Sequence, residues 1–267
     1  GYLPPSDRKA GEPVNSSTIR ELRAEQKKTR HRKVWLVPLG FFFFEVIWML
    51  WQLSSIKEEE RITGYLMLFY QLPLMNTIIL PTMISVIASR LCDMEIKGDT
   101  LKLLYTLQRP SSFFDCKFIA GIKYLLCCTI GHGILIPIAG RIFHFGNPLK
   151  VSMLAAYLAV MLCTGMILSA IQQTLSLMSN SQIMPLAAGL AGSFLGLFSL
   201  FFPAPAARLI IWGYFAAFPC VKMNWDRQAR ITEFYEVPFP LSGFFIFAVT
   251  GILIFIICRT VAVKKEV

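Results

Sequence analysis

Two side chains that can bind or transfer a proton lie inside apolar stretches of the sequence. Glu45 interrupts the run Val34–Leu53, and His132 lies within the run Phe118–Gly140. A carboxylate and an imidazole can form an ion pair or share a proton, which is the chemistry of ion-coupled transport. Because a lone charge in hydrocarbon costs a few kcal/mol or more, such residues are rare without a purpose. Glu45 and His132 are therefore candidates for an intramembrane polar site.

The depths of these two side chains allow them to pair. At about 1.5 Å per residue of helix, their distances from the same side of the membrane differ by roughly 5 Å. Gly131 and Gly133 would let a second helix approach closely. In the alternative, Glu45 is a structural carboxyl group that is protonated or satisfied by another polar side chain, such as Gln71 or Asn76. The sequence leaves both alternatives open.

The sequence lacks the motifs of common enzymes. It contains no G-x-x-x-x-G-K-S/T phosphate loop, no G-x-S-x-G nucleophile elbow and no H-E-x-x-H zinc motif. Its seven cysteines include no C-x-x-C pair, which argues against a zinc site and against a disulfide framework. We therefore expect a non-catalytic chain that binds no cofactor and no metal itself.

Composition and charge distribution indicate a membrane protein. Hydrophobic residues make up 55% of the chain and charged residues only 16%, against about 25% charged residues in an average soluble domain. Several uncharged runs approach or exceed the roughly 20 residues that a transmembrane helix requires. We predict an all-α membrane protein with six transmembrane helices: Val34–Leu53, Gly64–Ser89, Phe118–Gly140, Val151–Ser179, Ile183–Pro203 and Leu241–Cys258.

The basic residues set the expected orientation. The first domain, residues 1–33, is a basic N-terminal segment, and the second, residues 34–267, is the transmembrane domain. Within the first, Asn15–Lys33 is expected to form an amphipathic helix on the inner leaflet, bound partly by membrane lipid. Most Lys and Arg residues lie at the N-terminus, between spans two and three, and in the tail, so both termini are predicted to be cytoplasmic. This distribution does not favour a nucleic-acid partner.

The connection between spans five and six contains a second apolar stretch, Ala207–Cys220. It is shorter than the roughly 20 residues that cross a bilayer. A seventh span would also place the two ends of the chain on opposite sides. We therefore predict a re-entrant or interfacial segment rather than another span.

Span five carries a stripe of small residues, Ala188, Gly192 and Gly196, at helical spacing. Small residues in this pattern let two helix backbones approach closely. The stripe is a candidate subunit interface, and packing within the chain is an equally good alternative.

The segment between spans two and three, Arg90–Lys117, contains the most informative motif. The motif contains, in chain order, Glu95, the sequence Gly98-Asp99-Thr100, a leucine-rich stretch that ends at Leu107, and Lys117 before span three. This resembles the cytoplasmic loop of type-2 ABC exporter permeases, except that Asp99 separates the Gly-Thr pair. The resemblance implies that a short helix in this loop couples the permease to an ATPase. The residues it assigns to ATPase coupling are Glu95, Gly98, Thr100, Leu103, Leu104 and Leu107.

The same resemblance implies the partners and the activity. Such a permease works with a separate ABC ATPase, expected in two copies, which binds ATP and Mg, and with a second, identical or homologous permease. The chain looks most like the permeases of lantibiotic and bacitracin self-protection exporters in the bacterial plasma membrane. The implied function is therefore the ATP-driven export of an antimicrobial peptide or another amphipathic compound. A secondary transporter or channel that uses Glu45 as an ion-coupling carboxylate is the alternative.

Overall fold

The computed structural model describes residues 14–96, 109–179, 181–226 and 231–264, which fold mainly into helices. In chain order the helices are α1 (Val14–His31), α2 (Leu36–Ser54), α3 (Glu58–Arg61), α4 (Gly64–Ile96), α5 (Pro110–Ile142), α6 (Val151–Met178), α7 (Ile183–Phe198), α8 (Ala204–Ala207), α9 (Tyr214–Ala217) and α10 (Leu241–Val263). Within the described residues, six helices are long and apolar enough to cross a membrane: α2, α4, α5, α6, α7 and α10. The predicted all-α membrane protein with six spans is confirmed.

Helices α4 and α5 extend well beyond the apolar runs that predict them. The predicted loop Arg90–Lys117 is wrong in its bounds, because α4 continues to Ile96 and α5 already begins at Pro110. A proline suits the first turn of a helix, where its missing N–H group would have no partner. Residues 97–108 lie outside the described residues, and with them most of the predicted coupling helix.

Helix α4 is the centre of the bundle. In its most apolar part 67% of the residues are buried, compared with 22% in α2 and 11% in α10. It packs most extensively against α6 and α7, and also against α2 and α5. The outer helices therefore present most of their apolar side chains to lipid or to another protein.

Short helical elements occupy the stretch that the sequence predicts to be re-entrant. Two 3-10 turns, Ser199–Phe201 and Ile211–Gly213, flank α8, and α9 follows directly. Trp212 lies against α7 at the two glycines of the small-residue stripe. A Cβ atom at Gly192 would overlap its indole ring, and one at Gly196 would lie 2.7 Å from its carbonyl carbon. Packing within the chain therefore accounts for both glycines, while Ala188 is half-buried.

A β-hairpin that the sequence analysis does not predict follows α9. Its strands, β1 (Val221–Asp226) and β2 (Ile231–Glu236), pair in antiparallel register. Glu236 accepts a hydrogen bond of 2.5 Å from Lys150, at the start of α6, and Phe234 packs on Tyr70 of α4 with ring centroids 5.5 Å apart. The hairpin is thus attached to the bundle at the end opposite to α1.

Replacement of Gly192 by leucine should displace Trp212 and destabilise the fold. Overpacking of a tight contact costs about 1–3 kcal/mol, so we expect a lower midpoint of thermal unfolding for the protein purified in detergent. Ala191→Leu is the matched control, because Ala191 is exposed on the same helix. Equal midpoints for the two variants would show that the Trp212 contact contributes nothing.

Candidate functional site

A buried ammonium group joins three helices at the α1 end of the bundle. Lys117 of α5 is fully buried. Its Nζ atom donates hydrogen bonds to Oε1 of Glu25 in α1 at 2.8 Å and to the carbonyl oxygen of Leu91 in α4 at 2.7 Å. It also lies 3.5 Å from Oε1 of Glu95, near the end of α4. A lysine without water requires such partners, because an unpaired buried charge is very costly.

A second lysine balances the charge of this cluster. Nζ of Lys28 lies 2.8 Å from Oε1 of Glu95 and 4.0 Å from Oε2 of Glu25. Two ammonium groups thus face two carboxylates, and their formal charges cancel. Lys28 is partly exposed, so its contacts contribute less than those of Lys117, which solvent does not screen. We call Glu25, Lys28, Glu95 and Lys117 the lysine cluster.

Helix α1 turns an acidic face toward the bundle. Glu21 and Glu25 are one helical turn apart, and Glu21 accepts a hydrogen bond from Ser112 at the start of α5. Arg23, Lys27, Arg30 and Arg32 are exposed. The amphipathic character of α1 therefore lies in the separation of acidic and basic side chains, and the exposed basic side suits anionic lipid.

The start of α5 is also attached to the last helix. Nε and Nη2 of Arg259, in α10, donate hydrogen bonds of 2.8 and 2.7 Å to the two carboxylate oxygens of Asp115. This two-point arrangement fixes the relative orientation of the side chains as well as their distance. The first two turns of α5 thus contact α1, α4 and α10.

Of the residues that the sequence assigns to coupling, the structure describes Glu95. Its carboxylate is buried and bound by Lys28 and Lys117 within the chain. The other five are Gly98, Thr100, Leu103, Leu104 and Leu107, and they lie outside the described residues. The lysine cluster holds both ends of the segment that contains them, since Glu95 precedes it and Lys117 follows it.

Sequence reasoning missed the partners of Glu95. The pairing of Glu25 with Lys117 joins residues far apart in the chain. Lys117 is the lysine that ends the motif between spans two and three, but the motif does not indicate its partners, and Glu25 lies in no distinctive motif. The one local signal is the spacing of Glu21 and Glu25, which puts two carboxylates on one face of a basic helix. Asp115 and Arg259 show no signal that distinguishes them from ordinary residues at helix ends.

The intramembrane candidates Glu45 and His132 lie together in the structure. Both are buried, and Nε2 of His132 is 3.2 Å from Oε2 of Glu45. Gly131 allows this approach, because a Cβ atom there would lie 2.8 Å from the ring of Phe42 in α2. Asn76 is not the partner of Glu45 and donates a 2.8 Å hydrogen bond to Tyr157 instead.

The other ring nitrogen of His132 contacts the backbone. Nδ1 is 2.9 Å from the carbonyl oxygen of Cys128. A carbonyl oxygen only accepts, so Nδ1 carries a hydrogen atom. Within the described residues, Nε2 of His132 and Oε1 of Glu45 are buried and have no hydrogen-bond partner. The pair therefore places two polar groups in contact in the apolar interior, and with one proton between them it has no net charge.

A comparison with protein families matches residues 21–196 to the family described as ABC-2 family transporter protein. The match covers more than half of the chain and extends from Glu21 of α1 to Gly196 of α7. The chain belongs to this ABC-2 transporter family. A comparison with curated proteins found no match. The matched region of the ABC-2 permease includes the whole lysine cluster and the segment between α4 and α5.

Membership of the family defines the general role of the chain. It is a multi-pass transmembrane permease subunit of an ABC exporter, of a kind that is generally not catalytic. The partner that the family implies is an ABC ATPase. An ATPase acts on a permease through the surface that it touches, and the lysine cluster lies beside the segment that the sequence predicts to be that surface.

Replacement of Lys117 by methionine should destabilise the ABC-2 permease strongly. The change leaves two carboxylates buried without their main cation, and breaking such a pair costs about 3–5 kcal/mol. We expect a large drop in the midpoint of thermal unfolding in detergent. Lys123→Met removes the same charge from an exposed position of the same helix and should change the midpoint little. A wild-type midpoint for both variants would contradict the importance of the lysine cluster.

Proposed function

We propose that this ABC-2 permease expels an antimicrobial peptide or another amphipathic compound from a bacterial plasma membrane as part of a self-protection exporter. The observation that carries the coupling part of this proposal is the burial of Lys117 between Glu25 and Glu95, directly beside residues 97–108. Both termini are cytoplasmic in this proposal, because the positive-inside rule assigns the basic α1 end to that side.

The proposed coupling path starts at the segment between α4 and α5. A partner ATPase binds the leucines of this segment in a groove on its own surface, which is a common way for one protein to bind an amphipathic helix of another. Motion of the segment moves α4 and α5 directly, because it is continuous with both. The lysine cluster transmits this motion to α1, and the ion pair of Asp115 with Arg259 transmits it to α10. Since α4 lies at the centre of the bundle, its displacement reaches the packed helices α6 and α7.

The proposed assembly contains two ATPase subunits and a second permease, identical or homologous to this one. ATP and Mg bind to the ATPase subunits and not to this chain. Exposed apolar side chains on α2 and α10, such as Ile47 and Ile252, supply surface for lipid or for the second permease. Closure of the ATPases would tilt the two permeases against each other and release the amphipathic cargo.

The test of this function is docking of the ATPase. Leu104→Asp should place an unpaired charge in the docking contact, abolish co-purification with the ATPase and stop ATP-dependent transport. The permease should still insert, because residue 104 lies outside every span. Ile62→Asp makes the same chemical change at an exposed position at the opposite end of the bundle and should preserve docking. If docking and transport both survive Leu104→Asp and also Glu95→Ala, the ATPase docks elsewhere.

The second candidate function is ion-coupled transport through Glu45. The specific observation in its favour is a buried carboxyl group 3.2 Å from Nε2 of His132. Within the described residues, Oε1 of Glu45 has no hydrogen-bond partner. A coupling ion would have to load and leave this pair during each transport cycle.

Glu45→Gln separates the two functions. The amide can donate a hydrogen bond to Nε2 of His132, so a structural pair should keep the fold and most ATP-dependent transport. Glu45→Leu removes the polar group that lies beside the buried Nε2 of His132 and should lower the unfolding midpoint by an amount equivalent to about 1–3 kcal/mol. Transport is measured in vesicles with and without a protonophore. Complete loss of transport in a normally folded Glu45→Gln variant would favour the ion-coupled function.

A further inference from the structure

A cavity of about 670 Å³ separates the first half of α10 from the short helices that precede the hairpin. This volume lies within the roughly 300–1,000 Å³ of typical ligand sites. Its wall on α10 runs from Ser242 to Thr250, and its opposite wall includes Ser199 and Ala217. Exposed apolar side chains, among them Ile246, line the cavity and connect it to the apolar outer surface of the bundle.

The interior of the cavity is apolar and aromatic. The rings of Tyr214 and Phe247 stack with centroids 4.3 Å apart. Three of the four hydroxyl groups in the lining are already used within the chain. The hydroxyls of Ser199, Tyr214 and Thr250 donate hydrogen bonds of 2.6, 2.8 and 2.9 Å, respectively, to backbone carbonyl oxygens. Such walls suit a hydrocarbon chain better than a polar ligand.

Tyr214 does not add a negative charge to this lining. Burial raises the pKa of its phenol above the ordinary value, although the nearby guanidinium group of Arg208 opposes the shift. The phenol is therefore protonated at neutral pH and donates its hydrogen atom to the carbonyl oxygen of Arg208.

Among the described residues that line the cavity, Arg208 is the one with a charged side chain. It is exposed, and the structure shows no ion pair between it and a carboxylate of the described residues. Guanidinium groups bind phosphate oxygens with two parallel hydrogen bonds. A cation at the edge of an apolar cavity that is open to lipid complements a molecule with an anionic head and an apolar tail.

We propose that this cavity binds one anionic phospholipid from the bilayer, with the phosphate on Arg208 and an acyl chain between α10 and the aromatic wall. The exposed apolar lining provides a lateral entrance, so the lipid arrives without crossing water. Binding requires neither an ATPase nor transport, and its test is therefore independent of the proposed function.

The test measures lipid retention by the full chain purified in detergent. The protein is equilibrated with equal amounts of phosphatidylglycerol and phosphatidylcholine that carry the same acyl chains, and native mass spectrometry counts the bound molecules. The wild type should prefer phosphatidylglycerol by roughly two- to fivefold, as expected for one solvent-accessible ion pair. Arg208→Gln should remove the preference. Lys222→Gln, which removes an exposed cation of the hairpin, should keep it.

A second pair of variants tests the cavity itself. Ala217→Phe fills the space from an exposed position and should lower retention of both lipids, whereas Ala206→Phe, outside the lining, should leave it unchanged. Circular dichroism checks folding, and Ser242→Phe blocks the opposite wall if Ala217→Phe unfolds. Equal retention of the two lipids by the wild type, or an unchanged preference in Arg208→Gln, would overturn the proposal. Undiminished retention in both cavity-filling variants would also overturn it.

Discussion

The burial of Lys117 is the constraint on which the α1 end of the structure depends. An ammonium group without access to water is stable only where oxygen atoms surround it, and here they come from Glu25, Leu91 and Glu95. To supply them, α4 continues past its apolar run to Glu95, and α1 lies against the start of α5. One buried charge thus links α1, α4 and α5 at this end of the bundle.

Within the apolar layer, other contacts determine how the helices pack. Lipid tails are as apolar as leucine, so the hydrophobic effect does not select one helix arrangement over another. The helix arrangement is instead selected by the close approach of helix backbones and by polar contacts between helices. Gly192 admits Trp212 to the surface of α7, and Gly189 brings α7 against Ser85 of α4. The hydrogen bond between Asn76 and Tyr157 joins α4 to α6 in the same layer.

Features of the fold that depend on local composition can be predicted from the sequence, whereas features that depend on contacts between distant residues cannot. The six spans found within the described residues and the helix before them follow from hydropathy and helix length. The true ends of α4 and α5 do not, because they depend on the partners of Lys117, which lie on other helices. The pairing of Glu45 with His132 could be proposed from their similar depths, whereas the internal role of Gly192 required the position of Trp212. The hairpin was missed although apolar and polar residues alternate from Val221 to Asp226 in the manner of a strand.

The charge balance of the two buried polar groups has an electrical consequence. A charge that moves across the whole membrane exchanges about 2.3 kcal/mol with the field for every 100 mV of potential. With one proton on the pair of Glu45 and His132, that pair has no net charge, and the lysine cluster has as many cations as anions. Displacement of either group along the membrane normal therefore does almost no work against the membrane potential. These two polar groups therefore do not make the movement of their helices sensitive to the voltage across the membrane.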